Sequence, residues 1–336
     1  MRRTSLYFVS PRQVELRDED LPSPRPGEIQ VSSSISYISA GTEMLLFNGE
    51  FPQDLVTDST LSSLKGNLKF PFKYGYSMVG SVSAIRDGVE SHLRNQAVFA
   101  LNPHENAFNV KDRDMQIIPN KIPEKDAVFL ANAETAVNLI LDGAPLLGEK
   151  VVVIGQGVVG LLTTALLAKH PLEMLITFEP YPMRLEASRN LGAHEALDTN
   201  PQSVNRAQGL LGDRGADLVY ELSGRPEALD LALSLVGDDG RIVIGSWYGE
   251  RKAAIDLGAR FHRGRIKLIS SQVSRIAPEH TGRWDRQRRF AEAWKLIDWI
   301  RPSQFVTHEF PFADAGKAYR QLADNPQETM AVLLIY

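Results

Sequence analysis

Hydrophobic positions recur with two different periods along the chain, and the change divides it into two parts. Up to about residue 120, apolar residues alternate in short runs such as SLYFV and EIQVSSSIS, with Pro, Gly, Asn or Asp between the runs. A period of two is typical of strands that are buried on one face. The first part therefore predicts an antiparallel β domain.

From about residue 123, apolar runs alternate with segments of helical spacing. KVVVIG, MLITFEP, ADLVYELSG, RIVIGSWYG and KLISSQ predict buried strands, and strands that alternate with helices form a parallel sheet. After Pro302 the pattern returns to strand, helix and strand. We expect an α/β fold: a Rossmann doubly wound parallel sheet in residues 123–302, and a split, mostly antiparallel β domain in residues 1–122 and 303–336.

Three helices have boundaries that the sequence suggests. EKDAVFLANAETAVNLILDGAP predicts a single helix that Gly143 and Pro145 end. Residues 158–170 predict a second helix, directly after the first strand of the parallel sheet. EALDLALSLVGDDG predicts a third helix over its whole length.

A glycine motif stands between the strand KVVVI and the helix that follows it. GQGVVG has GxGxxG spacing, and this strand–turn–helix context favours dinucleotide binding. The first glycine makes the turn, the second admits the pyrophosphate, and the third lets helix pack on strand. The helix N-terminus favours the phosphate charge. The residues predicted to bind the cofactor here are Gly155, Gln156, Gly157, Val158, Val159 and Gly160.

An acidic residue ends the second predicted strand. Glu179 lies where a carboxylate accepts hydrogen bonds from the adenosine ribose and repels a 2′-phosphate, which favours NAD(H). Arg184, five residues later, softens that preference. NADP(H) therefore stays open as the alternative cofactor.

Composition and charge exclude several classes of protein. The net charge of −4 gives no field that attracts the whole chain to nucleic acid. No apolar run is long enough to span a membrane, and the N-terminus MRRTSLYFVS has no secretory apolar region, so we expect a cytoplasmic location. The absence of Cys excludes disulfides and every zinc site that needs a thiolate.

Together these motifs resemble the medium-chain dehydrogenase/reductase superfamily, the alcohol-dehydrogenase-like enzymes. The resemblance extends over nearly the whole chain and includes VVVIGQGVVG, NLGA, DLVYELSG, GRIVIGSWYG and FVTHEFPFADAGKAY. The spacing of ISAGTEMLLFNGEFP, GYSMVG and ARFHRGRIKL is most similar to the bacteriochlorophyllide a dehydrogenase branch. The resemblance implies a GroES-like catalytic domain, a nicotinamide cofactor, a small-molecule substrate and a homodimer.

The resemblance also locates the catalytic zinc ligands of the superfamily. They correspond to Ala40, Tyr76 and Ala131, none of which supplies a thiolate, imidazole or carboxylate. Since neither alanine nor a neutral phenol suits zinc, we expect a protein without zinc.

Hydroxyl and acidic side chains near these positions are the catalytic candidates. The resemblance implies that Thr42 starts a proton relay, with a turn-capping role as its alternative. Tyr76 is a candidate proton donor, unless it only fills the space of the missing histidine. Glu43 replaces a family aspartate and would orient Tyr76 or a water. His104 is a loop imidazole that is able to act as an acid or base.

Further contacts with cofactor and substrate follow from the resemblance alone. Thr135 corresponds to a threonine beside the nicotinamide ring. The remaining cofactor-binding residues that the resemblance implies are Ser223, Gly245 and Trp247. Tyr248 is a substrate candidate, and so are Arg260 and Arg263 in a basic segment, residues 251–289, that carries eleven Arg and Lys against three Asp and Glu.

The basic segment has three interpretations. It binds an anionic substrate, forms ion pairs across a subunit interface, or is an ordinary solvated surface. Nucleic-acid binding is not favoured, because aromatic residues are not interleaved with the charges.

The sequence predicts a zinc-independent oxidoreductase that moves a hydride between nicotinamide C4 and a secondary alcohol or ketone carbon. One alternative is an enone- or quinone-type reductase, in which the same donors stabilise an enolate. Another is a protein that binds the cofactor and catalyses nothing.

Overall fold

The computed structural model describes residues 1–52 and 68–336, and its contacts divide the chain into two compact units. Met1–Ala131 and Ile297–Tyr336 form one unit, here called the split unit. Asn132–Leu296 form the other, here called the continuous unit. The domain boundaries expected at residues 122/123 and 302/303 stay a prediction.

Strands occur in both units. Among the described residues they are, in chain order, β1 (Arg2–Ser10), β2 (Gln13–Asp20), β3 (Glu28–Tyr37), β4 (Phe72–Lys73), β5 (Met78–Ile85), β6 (Ala97–Ala100), β7 (Ala107–Lys111), β8 (Met115–Ile117), β9 (Lys150–Ile154), β10 (Met174–Phe178), β11 (Glu195–Leu197), β12 (Ala216–Glu221), β13 (Val236–Ile244), β14 (Lys267–Ser270), β15 (Val306–Pro311) and β16 (Ala331–Ile335).

The α-helices lie between these strands. Among the described residues they are α1 (Ala40–Asn48), α2 (Glu124–Ala127), α3 (Leu130–Gly143), α4 (Val158–Leu167), α5 (Pro182–Asn190), α6 (Pro201–Leu211), α7 (Ala228–Leu235), α8 (Arg286–Ile300) and α9 (Ala315–Asp324). None of them is both long and apolar enough to cross a lipid bilayer.

The split unit is built on two sheets. One has the strand order β15-β16-β3-β5-β6-β8, with β7 also paired to β3, and the other has the order β2-β1-β4. All pairs are antiparallel except β15 with β16. Alternate residues of the strands, such as Ile29 and Val31, are buried with Met78, Val98 and Phe108 in one core. The mostly antiparallel domain expected from the alternating pattern is therefore confirmed.

The continuous unit contains six parallel strands in the order β11-β10-β9-β12-β13-β14. The chain order reverses between β9 and β12, and ligands of doubly wound sheets bind outside the carboxyl ends of the strands at this point. Val152 and Val219 are buried on one face of the sheet, whereas Val151 and Leu218 are buried on the other. Burial on both faces explains the continuous apolar runs, and the Rossmann fold is confirmed.

Helix α1 lies in a segment for which the sequence analysis predicts no helix. Its carboxyl end is stabilised by Gly49, which has φ +76° and donates its N–H to Leu46, in the manner of a glycine cap. Leu45, Leu46 and Phe47 are all buried. Three consecutive buried residues give no helical periodicity, which is why the sequence pattern did not reveal this helix.

Three helix predictions differ from the structure. The single helix expected between residues 124 and 145 is two helices, α2 and α3. Helix α4 ends at Leu167 and not at residue 170. The segment VGDDG begins β13, because Val236 pairs with Ala216 and a register shift follows. Gly237 fits there since a Cβ atom would collide with the Arg214 carbonyl oxygen.

Two glycines of the continuous unit give a matched test of how closely α4 packs against the turn that precedes it. A Cβ atom at Gly160 would collide with the Gly155 carbonyl oxygen, whereas Gly209, in the exposed part of α6, has open space around it. Gly160→Ala should lower the free energy of unfolding by about 2 kcal/mol. Gly209→Ala should raise it by up to about 1 kcal/mol. Urea unfolding followed by circular dichroism measures both, and equal stabilities of the two variants would contradict the assigned packing.

Candidate functional site

The glycine motif forms a turn at the carboxyl end of β9. Gly155 has φ +95°, and a Cβ atom there would lie 2.6 Å from the Ser223 backbone nitrogen. Gly157 is the N-cap of α4, and nothing lies within 4 Å of the place where its Cβ atom would be. The open space and the N-terminal N–H groups of α4 fit the pyrophosphate of a dinucleotide.

Glu179 follows β10 and lies beside this turn. Its side chain is buried, and Oε2 accepts a hydrogen bond of 2.8 Å from the Gln156 backbone N–H. Arg184 Nη1 lies 3.7 Å from Glu179 Oε1, and its guanidinium group is 5.0 Å from the centre of the Tyr181 ring. The structure thus brings Glu179 and Arg184 together with the glycine turn.

The other residues expected near the cofactor lie at several places in the continuous unit. Thr135 is in α3, and Ser223 lies two residues after the end of β12. Gly245 and Trp247 follow β13. Tyr248 is part of the same loop, where its hydroxyl group donates a 2.5 Å hydrogen bond to Glu221 Oε2. The Tyr248 hydroxyl group is therefore occupied by a carboxylate that the sequence analysis did not single out.

In the split unit, Thr42 and Tyr76 are brought together. Thr42 is in the first turn of α1, and Tyr76 precedes β5. The Tyr76 hydroxyl group donates to Ser39 Oγ and lies 3.3 Å from Thr42 Oγ1. Ser39 is the N-cap of α1, yet its side chain makes no capping bond. Burial raises the pKa of Tyr76, so this phenol stays protonated at neutral pH.

Glu43 and His104 form a second group, which is fully buried. His104 Nε2 lies 2.9 Å from Glu43 Oε2, and both side chains have no exposed area. Glu43 also accepts hydrogen bonds from the Tyr319 hydroxyl group, at 2.5 Å, and from the Ser39 backbone N–H, at 2.8 Å. The sequence analysis expected Glu43 to orient Tyr76 or a water. The structure shows no direct hydrogen bond between Glu43 and Tyr76, but both bond Ser39: Glu43 accepts its backbone N–H, and Tyr76 donates to its side chain.

The buried group extends beyond this carboxylate. His104 Nδ1 lies 2.7 Å from Ser36 Oγ, which lies 3.1 Å from the Tyr336 hydroxyl group. The imidazole also packs on the chain before Tyr76, since a Cβ atom at Gly75 would lie 2.8 Å from the His104 ring. With a φ of +127°, Gly75 suits this position for two independent reasons.

The donor atoms of this region do not fit a zinc ion. Ala40 and Ala131 present methyl groups, and Tyr76 presents a protonated phenol that is bonded to Ser39. His104 and Glu43 have zinc-ligand chemistry, but they are bonded to each other. No group of three or more His, Asp or Glu side chains in residues 1–52 and 68–336 is arranged to hold a metal.

The basic segment is only partly neutralised within the continuous unit. Arg289 is buried and makes a 2.7 Å ion pair with Glu134 in α3. Arg265 Nε lies 3.4 Å from Asp239 at the surface. The substrate candidates Arg260 and Arg263 are both exposed.

Five residues of these groups were not predicted from the sequence: Ser36, Ser39, Glu221, Tyr319 and Tyr336. Ser39 and Tyr319 lie inside motifs that carry the family resemblance, ISAGTEMLLFNGEFP and FADAGKAY, but nothing in the sequence indicated their partners. Glu221 ends the predicted strand ADLVYELSG in the same way that Glu179 ends MLITFEP. An acidic residue at the end of a buried strand was therefore the available signal for Glu221.

Known proteins with similar sequences and structures agree with this fold. A sequence model of the family described as zinc-binding dehydrogenase matches residues 158–298. D-guloside 3-dehydrogenase of Escherichia coli K12 is 24% identical over 288 residues, which are 84% of this chain and 82% of that protein. The solved alcohol dehydrogenase RspB of Escherichia coli CFT073, in complex with NADH, has a TM-score of 0.79 at 19% identity and covers 100% of this chain and 99% of its own.

The branch suggested by short motifs is also among the relatives. The 2-desacetyl-2-hydroxyethyl bacteriochlorophyllide A dehydrogenase of Cereibacter sphaeroides is 24% identical over 343 residues, 97% of this chain and 96% of that protein. The chain is thus similar to proteins of the medium-chain dehydrogenase/reductase superfamily, and these comparisons support a place in it. Relatives that are named for different substrates match this chain at similar identity, so the comparisons support the fold and a general oxidoreductase activity.

Two buried tyrosines give a test of the group around Glu43. Tyr319→Phe removes a donor to a carboxylate and should lower the free energy of unfolding by about 2 kcal/mol. Tyr336→Phe is the matched control, because it removes a bond to the neutral Ser36 hydroxyl group and should cost about 1 kcal/mol or less. Urea unfolding of both variants measures the difference. A smaller loss for Tyr319→Phe than for Tyr336→Phe would show that Glu43 does not depend on Tyr319.

Proposed function

We propose that this protein is a zinc-independent, NAD(P)(H)-dependent oxidoreductase that interconverts a secondary alcohol and a ketone. The observation that carries the proposal is the hydroxyl group of Tyr76 bonded to Ser39 and close to Thr42, where the superfamily resemblance expects zinc ligands. Similarity to the superfamily and the glycine turn at β9 support the use of a nicotinamide cofactor. When bound, this cofactor supplies or accepts the hydride at C4 of its nicotinamide ring.

The continuous unit would hold the cofactor through three features. The glycine turn and the N-terminus of α4 receive the pyrophosphate. Glu179 receives the adenosine ribose hydroxyl groups, and its charge disfavours a 2′-phosphate. The RspB structure contains NADH and another similar solved structure contains NADP, so the comparisons support a nicotinamide cofactor of either kind. Arg184 beside Glu179 is the feature that keeps NADP(H) as the alternative.

The split unit would handle the substrate oxygen and its proton. In the direction of reduction, the Tyr76 hydroxyl group donates a hydrogen bond to the carbonyl oxygen and then transfers its proton. Ser39 and Thr42, which contact the phenol, stabilise the phenolate until it is reprotonated. In the direction of oxidation, the alcohol gives its proton to the Tyr76 oxygen while Tyr76 passes its own proton to the Thr42 hydroxyl group, which begins a relay to solvent.

The contribution of Tyr76 to the reaction rate can be estimated from general values for hydrogen bonding and proton transfer in enzymes. A single donor directed at a developing oxyanion contributes about 3 kcal/mol, or a factor of about 100 in rate. Proton transfer by a positioned side chain contributes a similar factor. Tyr76 combines both functions in one group, so its loss should be severe.

Several finer features stay predictions of the same proposal. We expect a homodimer in the cytoplasm and a small-molecule substrate, with an anionic group if Arg260 and Arg263 contribute to its binding. Analytical ultracentrifugation measures the oligomeric state. Metal analysis of the purified protein measures zinc, and stoichiometric zinc would overturn the zinc-independent mechanism.

Cofactor preference depends on the charge of Glu179. The unmodified protein should bind NADH more tightly than NADPH, and Glu179→Gln should narrow this ratio about tenfold. Glutamine keeps an acceptor for the Gln156 N–H, so the turn is retained. Fluorescence titration with each cofactor gives the dissociation constants. Glu195→Gln, which changes an acidic residue of β11, is the control, and an unchanged ratio in Glu179→Gln would contradict the role of Glu179.

Tyr76 and Thr42 should control the rate and not the binding of the cofactor. Tyr76→Phe is expected to lower kcat by a factor of about 100 to 1,000, with an unchanged dissociation constant for NADH. Thr42→Ala should also lower kcat, whereas Thr42→Ser should keep most of it. Tyr74→Phe removes a neighbouring phenol and serves as the control.

The assay also separates the alternative functions. A panel of secondary alcohols, ketones and enones is tested with oxidised or reduced cofactor. NADH oxidation with enones only would replace the proposal by alkene reduction. NADH binding without turnover of any compound would favour a cofactor-binding protein that catalyses nothing.

A further inference from the structure

Glu221 is a fully buried carboxylate at the carboxyl end of β12. Its Oε1 atom accepts hydrogen bonds from the Ser223 backbone N–H, at 2.8 Å, and from the Ser223 hydroxyl group, at 2.5 Å. Its Oε2 atom accepts the Tyr248 hydroxyl group at 2.5 Å. One carboxylate therefore joins the loop after β12 to the loop after β13.

Backbone contacts reinforce this connection. The Glu221 carbonyl oxygen accepts the Gly245 N–H at 3.0 Å. Ser246 Oγ accepts the Gly224 N–H at 2.9 Å. These bonds give the two loops three connections within a few residues, and Tyr248 supplies the one that joins the loop after β13 to the Glu221 carboxylate.

The first of these loops also forms the floor of the glycine turn. Gly155 packs on Ser223 so closely that a Cβ atom would lie 2.6 Å from both the Cα atom and the nitrogen of Ser223. Because Glu221 fixes Ser223, it also limits how far the floor of the turn can move.

The strand order places this loop pair along the path of a bound dinucleotide. Glu179, at the end of β10, marks the adenosine side, and the glycine turn after β9 marks the pyrophosphate. The next strands along the sheet are β12 and then β13. A dinucleotide that crosses the sheet in this direction therefore brings its nicotinamide half to the loops that Glu221 connects.

We propose that Glu221 is a positioning residue that, through Ser223 and Tyr248, holds these two loops in the arrangement that receives the nicotinamide half of the cofactor. This inference rests on the proposed function, because it assumes a nicotinamide dinucleotide. It assigns the Tyr248 hydroxyl group to loop positioning and not to the substrate.

A carboxylate suits all three bonds. Two donors from Ser223 meet one oxygen atom, and a third donor from Tyr248 meets the other. Burial and the adjacent Glu221 carboxylate raise the pKa of Tyr248, which keeps its hydroxyl group a donor. A glutamine in place of Glu221 would keep one oxygen atom for Ser223 but would replace the charged acceptor of the Tyr248 hydroxyl group by a neutral NH₂ donor, which weakens this connection.

Two ligands and two tyrosines provide the test. Tyr248→Phe removes the connection and keeps the ring. Tyr220→Phe is the matched control. Tyr220 is buried in β12 next to Glu221, and its hydroxyl oxygen has no hydrogen-bond partner among the described residues. NADH and ADP-ribose, which lacks nicotinamide, are titrated against each variant, and the emission spectrum of bound NADH is recorded with direct excitation of the nicotinamide.

The expected result separates the two halves of the cofactor. Tyr248→Phe should weaken NADH binding about tenfold and shift the emission of bound NADH toward that of free NADH. ADP-ribose binding should stay within about twofold, and Tyr220→Phe should change neither ligand. Glu221→Gln should act in the same direction as Tyr248→Phe, and it serves as the second variant if Tyr248→Phe does not fold.

Three results would overturn the inference. NADH binding by Tyr248→Phe and Glu221→Gln that equals its binding by Tyr220→Phe would remove any positioning role. Equal weakening of NADH and ADP-ribose would mean that Glu221 supports the whole unit and not the nicotinamide half. Failure of the unmodified protein to bind either NADH or NADPH would instead overturn the proposed function, together with this inference.

Discussion

The buried contact between Glu43 and His104 is the interaction on which the split unit depends most. A carboxylate without solvent exposure is stable only if its oxygen atoms are fully hydrogen-bonded. Here an imidazole, a phenol and a backbone N–H, from His104, Tyr319 and Ser39, fulfil that requirement. Because these donors come from three distant segments, the pair fixes the start of α1 against the chain that carries Tyr76. The stability of this unit and the position of Tyr76 are thus linked.

The continuous unit uses the same physical principle at a different place. Glu221 is also fully buried, and its donors also come from separate loops. In both units a buried acceptor with two oxygen atoms specifies the arrangement of neighbouring loops more narrowly than apolar packing would. The two carboxylates differ in their partners: Glu43 meets an imidazole, whereas Glu221 accepts bonds from the hydroxyl groups of Ser223 and Tyr248 and from a backbone N–H. Removal of either would leave donors unpaired in a dry environment.

Much of the fold, and less of the site, could be predicted from the sequence. The parallel sheet followed from continuous apolar runs, and the glycine turn followed from three glycines in register with a strand, since both are local signals. Helix α1 was missed because Leu45, Leu46 and Phe47 are buried together, without helical alternation. The partners of Glu43 were also missed, since Tyr319 is 276 residues away along the chain. Such contacts are created by tertiary folding, and no local pattern encodes them.

The distribution of charge in the basic segment affects how the protein meets its solutes. The chain is acidic overall, with a net charge of −4, yet residues 251–289 carry a net charge of +8. Exposed Arg260 and Arg263 belong to this segment, and at physiological salt their field extends only about 8 Å. An anion at a distance therefore experiences weak repulsion, whereas the same anion close to these arginines is attracted. The net charge of the chain therefore predicts repulsion where an anion close to this surface is attracted. Added salt would slow the binding of anions at these arginines, because it screens the attraction.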